Sequence, residues 1–126
     1  MRILALVLTA VVAVEHIVIM LLEMFFWDHP IGRQIFGMTP EVSAASAVLA
    51  ANQGLYNGFL AAGLVWGLFE DSKKIKLFFL GCVIAAGIFG GVTAKPSIMA
   101  TQALPAAAAF LANLLARPGR RKYLTN

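Results

Sequence analysis

Four stretches of this chain stay apolar for about twenty residues or more, at roughly 3–27, 41–69, 75–94 and 97–116. An α-helix rises about 1.5 Å per residue, so about 20 apolar residues cross a hydrocarbon layer about 30 Å thick. Within lipid every backbone N–H and C=O must be satisfied inside the segment, which leaves helices as the simple solution for runs of this length. The expected fold is therefore all-α, an integral membrane four-helix bundle, with the 126 residues forming one transmembrane domain. The charge distribution agrees. Only 13% of the residues are charged against 60% hydrophobic, where soluble domains carry about 25% charge. The charges are gathered between the apolar runs rather than spread around helix faces.

Orientation follows from the basic residues. If four helices alternate, Arg2, Lys73, Lys74, Lys76, Arg117, Arg120, Arg121 and Lys122 fall on one side and only Arg33 and Lys95 on the other. The positive-inside rule then puts both termini in the cytoplasm, in a bacterial inner membrane. The net charge of +4 is explained by topology and anionic headgroups rather than by nucleic acid, because no aromatic stacking positions are interleaved with the basic residues. Arg2 followed by an apolar run resembles a signal peptide, but small-residue cleavage logic is missing and apolar residues continue to Trp27, so the segment reads as an uncleaved span. The single cysteine, Cys82, excludes an intrachain disulfide and a CxxC redox pair.

The connections carry their own signals. Asp28 to Pro40 is the long one and reads as an interfacial loop or a lid. Thr39-Pro40-Glu41 has the order of an N-cap, a first-turn proline and an acidic first turn. The turns at Glu70-Asp71-Ser72 and Lys95-Pro96-Ser97 are short, so consecutive helices should be antiparallel neighbours. Gly54 and Gly58, Gly63 and Gly67, and Gly87 and Gly91 each lie four apart and permit close helix approach. Their spacing leaves open whether they pack within one chain or between subunits; four helices alone enclose little, which favours a homo-oligomer.

The chemistry concentrates on the first segment. Glu15, His16 and Glu23 sit in an otherwise apolar run, and ionisable residues at membrane depth are costly, so they mark a functional site by default. His16, Met20, Glu23 and Trp27 follow one helical stripe, and Glu15 lies about 100° away from His16. The second segment adds Asn52, Gln53, Tyr56 and Asn57, and the fourth adds Thr101 and Gln102 ahead of Pro105, which lacks an N–H and frees a carbonyl near Thr101. With the first helix running outward and the second and fourth inward, these groups share the outer half, leaving the inner half almost free of polar residues. That describes a pocket opening to the outer leaflet. Glu15, His16 and Glu23 are the candidate catalytic or proton-exchanging groups, with Trp27, Asn52, Gln53, Tyr56, Asn57 and Gln102 as ligand-binding residues. No metal is expected, since His16 and Glu23 are two turns apart where helical ligand pairs favour three or four residues. No phosphate loop, Ser-His-Asp pattern or haem signal suggests another cofactor.

Glu15-His16, Glu23-Met24-Phe25 with Trp27, the string Ala51-Asn52-Gln53-Gly54-Leu55-Tyr56-Asn57-Gly58-Phe59-Leu60-Ala61 with Gly63 and Trp66, and Gln102 with Pro105 resemble the family called domain of unknown function 1304. The resemblance implies a small four-helix bacterial membrane protein and carries no activity. In length, helix count and a mid-membrane Glu on the first helix the chain also resembles small multidrug-resistance transporters, whose surrounding motifs are absent here. The leading expectation is a site that binds or acts on a lipophilic small molecule or lipid, with proton-transfer isomerisation as one reaction it could support. The alternatives are a proton-coupled exporter and a structural membrane assembly partner.

Overall fold

A computed structural model describes residues 1–116; the basic cluster Arg117, Arg120, Arg121 and Lys122 lies outside the described residues. The described chain is helical, without strands. Helix α1 (Arg2–Phe25) leads to a short α2 (Pro30–Phe36), then α3 (Pro40–Phe69), α4 (Lys73–Thr93) and α5 (Pro96–Leu115). Helices α1, α4 and α5 are long and apolar enough to cross a membrane, with mean hydropathies of 2.5, 2.1 and 1.5. Helix α3 is the longest at 30 residues but falls short of that hydropathy, because Asn52, Gln53 and Asn57 occupy its middle.

The helix ends follow from local chemistry. Thr39 Oγ1 accepts from the Val42 N–H at 3.3 Å, with Pro40 in the first turn and Glu41 beside it, so α3 starts as the sequence suggested. Ser72 caps α4 by accepting from the Ile75 N–H at 3.4 Å. The 28–40 connection is more than a loop. His29 Nδ1 accepts from the Ile31 N–H at 3.2 Å, Pro30 opens α2, and Gly37 closes it in the left-handed region at φ 67°. Pro105 leaves its mark on α5. The turn Met99–Ala103 is π-helical, with the Leu104 N–H reaching back to the Met99 carbonyl. A proline that cannot donate one residue later is the local cause of the disturbed ladder.

Each long helix packs against two neighbours: α1 on α3 and α5, and α4 on α3 and α5. The shared core is Val12 and Ala13 of α1, Leu64 of α3, Leu80 and Val83 of α4, and Ala106 and Ala109 of α5. The glycine pairs are used within the chain. A Cβ on Gly54 or Gly58 would stand 2.7 Å from Met24 or Met20 of α1, one on Gly63 would meet Phe79, and one on Gly87 would stand 2.8 Å from the Ala103 nitrogen.

At the end where the chain begins, Arg2 donates to Asp71 at 2.7 Å and Lys76 does so at 3.2 Å. Lys76 is buried while Asp71 holds a positive φ of 44° in the α3–α4 turn. The Arg2 guanidinium, ahead of the Lys76 ammonium, holds the Asp71 carboxyl below the usual carboxylate range. A carboxylate depressed in the folded state contributes stability above its unfolded pKa of about 3.9 and loses it as pH falls through the lower folded value. Wild type is therefore expected to melt at lower temperature below about pH 4. Asp71→Asn tolerates the positive φ; it should start less stable at neutral pH and change less on acidification. Solvent screening keeps the exposed Arg2 pair itself below about 1 kcal/mol. Melting in detergent across a pH series checks both signs.

Candidate functional site

The site forms at the opposite end, where α1 stops and α2 and α3 begin. Glu23 is half-buried in the last two turns of α1, and its Oε2 accepts from Asn57 Nδ2 of α3 at 2.8 Å. The same Asn57 amide donates to the Gln53 carbonyl at 3.2 Å, which ties the side chain to its own helix and aims it. Gly54 lets α3 approach closely here, since its Cβ would stand 3.0 Å from the Glu23 Cβ. Two residues beyond the helix, the Trp27 indole N–H donates to Ser46 Oγ at 2.9 Å. Its ring packs on Phe36 of α2, with centroids 4.7 Å apart. Asp28 accepts from the Ser43 hydroxyl and from Arg33, the latter at 2.9 Å. The Ser43 hydroxyl first, and the Arg33 guanidinium with it, hold the Asp28 carboxyl below its ordinary range, so it is an anion at neutral pH.

These groups surround an open concavity of about 260 Å³ lined by Glu23, Met24, Phe25, Trp27, Asp28, His29 and Ala47. Two carboxylates, an indole and an imidazole meet there on apolar walls. Asp28 is committed to Ser43 and Arg33, whereas Glu23 spends one oxygen on Asn57. The arrangement can accept a hydrogen bond from a hydroxyl or an ammonium group and cover its apolar surroundings with Phe25 and Trp27. Among the described residues no group of three His, Cys, Asp or Glu could hold a metal ion.

Of the residues singled out in the sequence, Glu23 and Trp27 line the concavity and Asn57 orients the first of them. The others lie elsewhere. Glu15 is half-buried on a different face of α1. Asn52, Gln53 and Tyr56 have exposed side chains on α3, and Gln102 is half-buried in the π-helical turn. His16 is fully buried, and its Nδ1–H donates to the Val12 carbonyl at 2.9 Å, which leaves Nε2 as a bare acceptor with no partner among the described residues. A buried polar atom left unpaired costs about 1–3 kcal/mol. His16→Leu is therefore expected to leave the melting temperature unchanged or raise it, measured by thermal unfolding in detergent. A clear fall would mean that the imidazole's packing and its bond to Val12 outweigh the unpaired Nε2.

Four mouth residues were not evident in the sequence: Asp28, His29, Ser43 and Ser46. The signal for the first two was Asp28-His29-Pro30, a helix-start pattern inside what reads as a loop. The opposite half of the bundle adds a polar contact. Asn113 Nδ2 donates to Thr9 Oγ1 at 2.9 Å, and both side chains are buried, so a polar clasp joins α1 to α5 in a region expected to be almost free of polar residues. Arg2, Thr9, His16 and Glu23 recur every seven residues, one face of α1, and that repeat was legible.

Three helices of membrane-spanning length and composition around a common core are consistent with a multi-pass membrane protein. The family model described as "Protein of unknown function (DUF1304)" matches residues 10–114, and the chain belongs to that family. A relative from Lactococcus lactis subsp. lactis (strain IL1403), the uncharacterized protein YpaA, is 33% identical over 106 residues, covering 81% of this chain and 89% of the relative. No solved structure matches the chain.

Proposed function

We propose that this chain is a four-helix membrane bundle of the bacterial inner membrane, with both termini cytoplasmic, whose outer mouth binds or acts on a lipophilic small molecule or lipid. Helix α3 joins the three apolar helices as the fourth span, since it packs along α1 and α4 and its amides turn in part toward the site. The observation that carries the reading is Glu23, a half-buried carboxylate aimed by Asn57 at the edge of the Trp27-lined concavity. A volume of about 260 Å³ is smaller than the roughly 300–1,000 Å³ of drug-sized pockets. It suits a hydroxyl- or ammonium-bearing head whose apolar remainder lies along the exposed helix faces.

The closely packed inner half, from Val12 and Leu64 to Ala109, favours a binding site over a path through the membrane. The test is native mass spectrometry of protein released in mild detergent, with solvent extraction of whatever is bound. A defined amphiphile at stoichiometric amount is the expected result. Protein that carries no guest and yields none on extraction sinks the proposal.

A further inference from the structure

The glycine pairs that invite helix contact are all consumed inside the chain, yet one face of α3 remains unused. Asn52, Leu55, Phe59, Ala62, Trp66 and Phe69 follow steps of three, four, three, four and three residues, and all six are exposed. This is the 3.5-residue period that keeps a stripe facing a straight partner helix. The other outer faces differ in kind. That of α1 is aliphatic, through Val7, Val11, Val14, Val18 and Leu21, and that of α5 carries Leu104, Leu111 and Leu115. Among the long helices α1, α3, α4 and α5, only α3 has exposed carboxamides, Asn52 and Gln53. The Glu23–Asn57 and Trp27–Ser46 hydrogen bonds bracket the level of Asn52, one turn inside the mouth. There neither Asn52 nor Gln53 has a side-chain hydrogen bond to a described residue. Acyl chains offer a carboxamide neither donor nor acceptor.

We infer that the exposed stripe of α3 is a self-association surface, which pairs with the same stripe of a second copy about a two-fold axis along the membrane normal. Two copies inserted the same way round place their α3 helices parallel, so Asn52 faces its counterpart. A carboxamide both donates and accepts, which makes that pair self-complementary, and a single Asn on an apolar stripe fixes the register. The inference rests on the membrane reading of the helices but not on the ligand site.

The test uses single cysteines in a Cys82→Ala background, oxidised in native membranes, with alkaline extraction to establish that the protein is integral. Asn52→Cys and Leu55→Cys are expected to give covalent dimers several-fold more readily than Val14→Cys on α1 or Leu111→Cys on α5. Equal cross-linking at all four positions, or none at the two stripe positions in protein that resists extraction, overturns the inference and leaves the stripe to lipid. Protein that washes off at high pH overturns the membrane reading itself.

Discussion

Glu23→Gln is expected to abolish the proposed retention of an amphiphile while leaving the protein folded. Glutamine keeps the shape, and its amide can turn to meet Asn57, so the α1–α3 contact survives. The charge is lost. A hydrogen bond to a charged group contributes about 1.5–3 kcal/mol, which corresponds to about 10- to 150-fold in affinity. The readout is the amount of guest retained in native mass spectra of wild type and variant prepared side by side, with the melting temperature showing that the fold is intact. Glu15→Gln is the informative comparison, because Glu15 lies off the concavity on another face of α1. If Glu15→Gln empties the protein and Glu23→Gln does not, the mouth is the wrong site.

Gly32→Ala is the second large effect. A Cβ at Gly32 would stand 1.8 Å from the Phe26 carbonyl oxygen and 2.8 Å from its carbon. Both are backbone atoms at the end of α1, so no side-chain rotation relieves the clash and α2 must lift away. Overpacking of this kind costs about 1–3 kcal/mol, occasionally more. The damage should stay at the mouth. Phe36 would leave the Trp27 ring and Arg33 would leave Asp28, while the core around Leu64 and Leu80 lies far along the helices. Expected results are faster amide exchange in residues 28–39, a red-shifted Trp27 emission measured with Trp66→Phe, and loss of retained guest. Gly37→Ala is the contrast. It meets nothing within 4 Å but sits at φ 67°, so it should cost only about 1 kcal/mol. If the two variants behave alike, the close approach of α2 to α1 does not shape the mouth.

The apolar runs were legible as helices because a long apolar helix declares itself by length and composition, and both are local. Thr39, Pro40 and Glu41 announced the start of α3 for the same reason: a cap acts within one turn. Proline at 105 announced a fault in α5, although not its form as a π-helical turn. The short helix α2 was missed because seven residues with mixed polarity carry no period strong enough to read. What decides it is His29 capping Ile31 and Gly32 resting on the Phe26 backbone.

The candidate site divides in the same way. Sequence periodicity placed Glu23 and Trp27 on one stripe, and both reached the concavity. It also grouped Glu15, Asn52, Gln53, Tyr56 and Gln102 with them on shared depth alone. Depth is one coordinate of three, and the azimuth of each helix depends on which face its neighbours bury. Thr9 and Asn113 show the converse case. They are 104 residues apart and unremarkable singly, and only antiparallel packing of α1 on α5 makes them a buried pair. By itself, then, the sequence determined the helices, their approximate ends, the family and the helix that carries Glu15 and Glu23, because those follow from local preference and burial. The tertiary structure alone decided which polar groups meet: Asn57 with Glu23, Ser43 with Asp28, Thr9 with Asn113, and the glycines with their own chain. A hydrogen bond acts over about 3 Å, and only the rotation and register of packed helices bring distant residues within that distance.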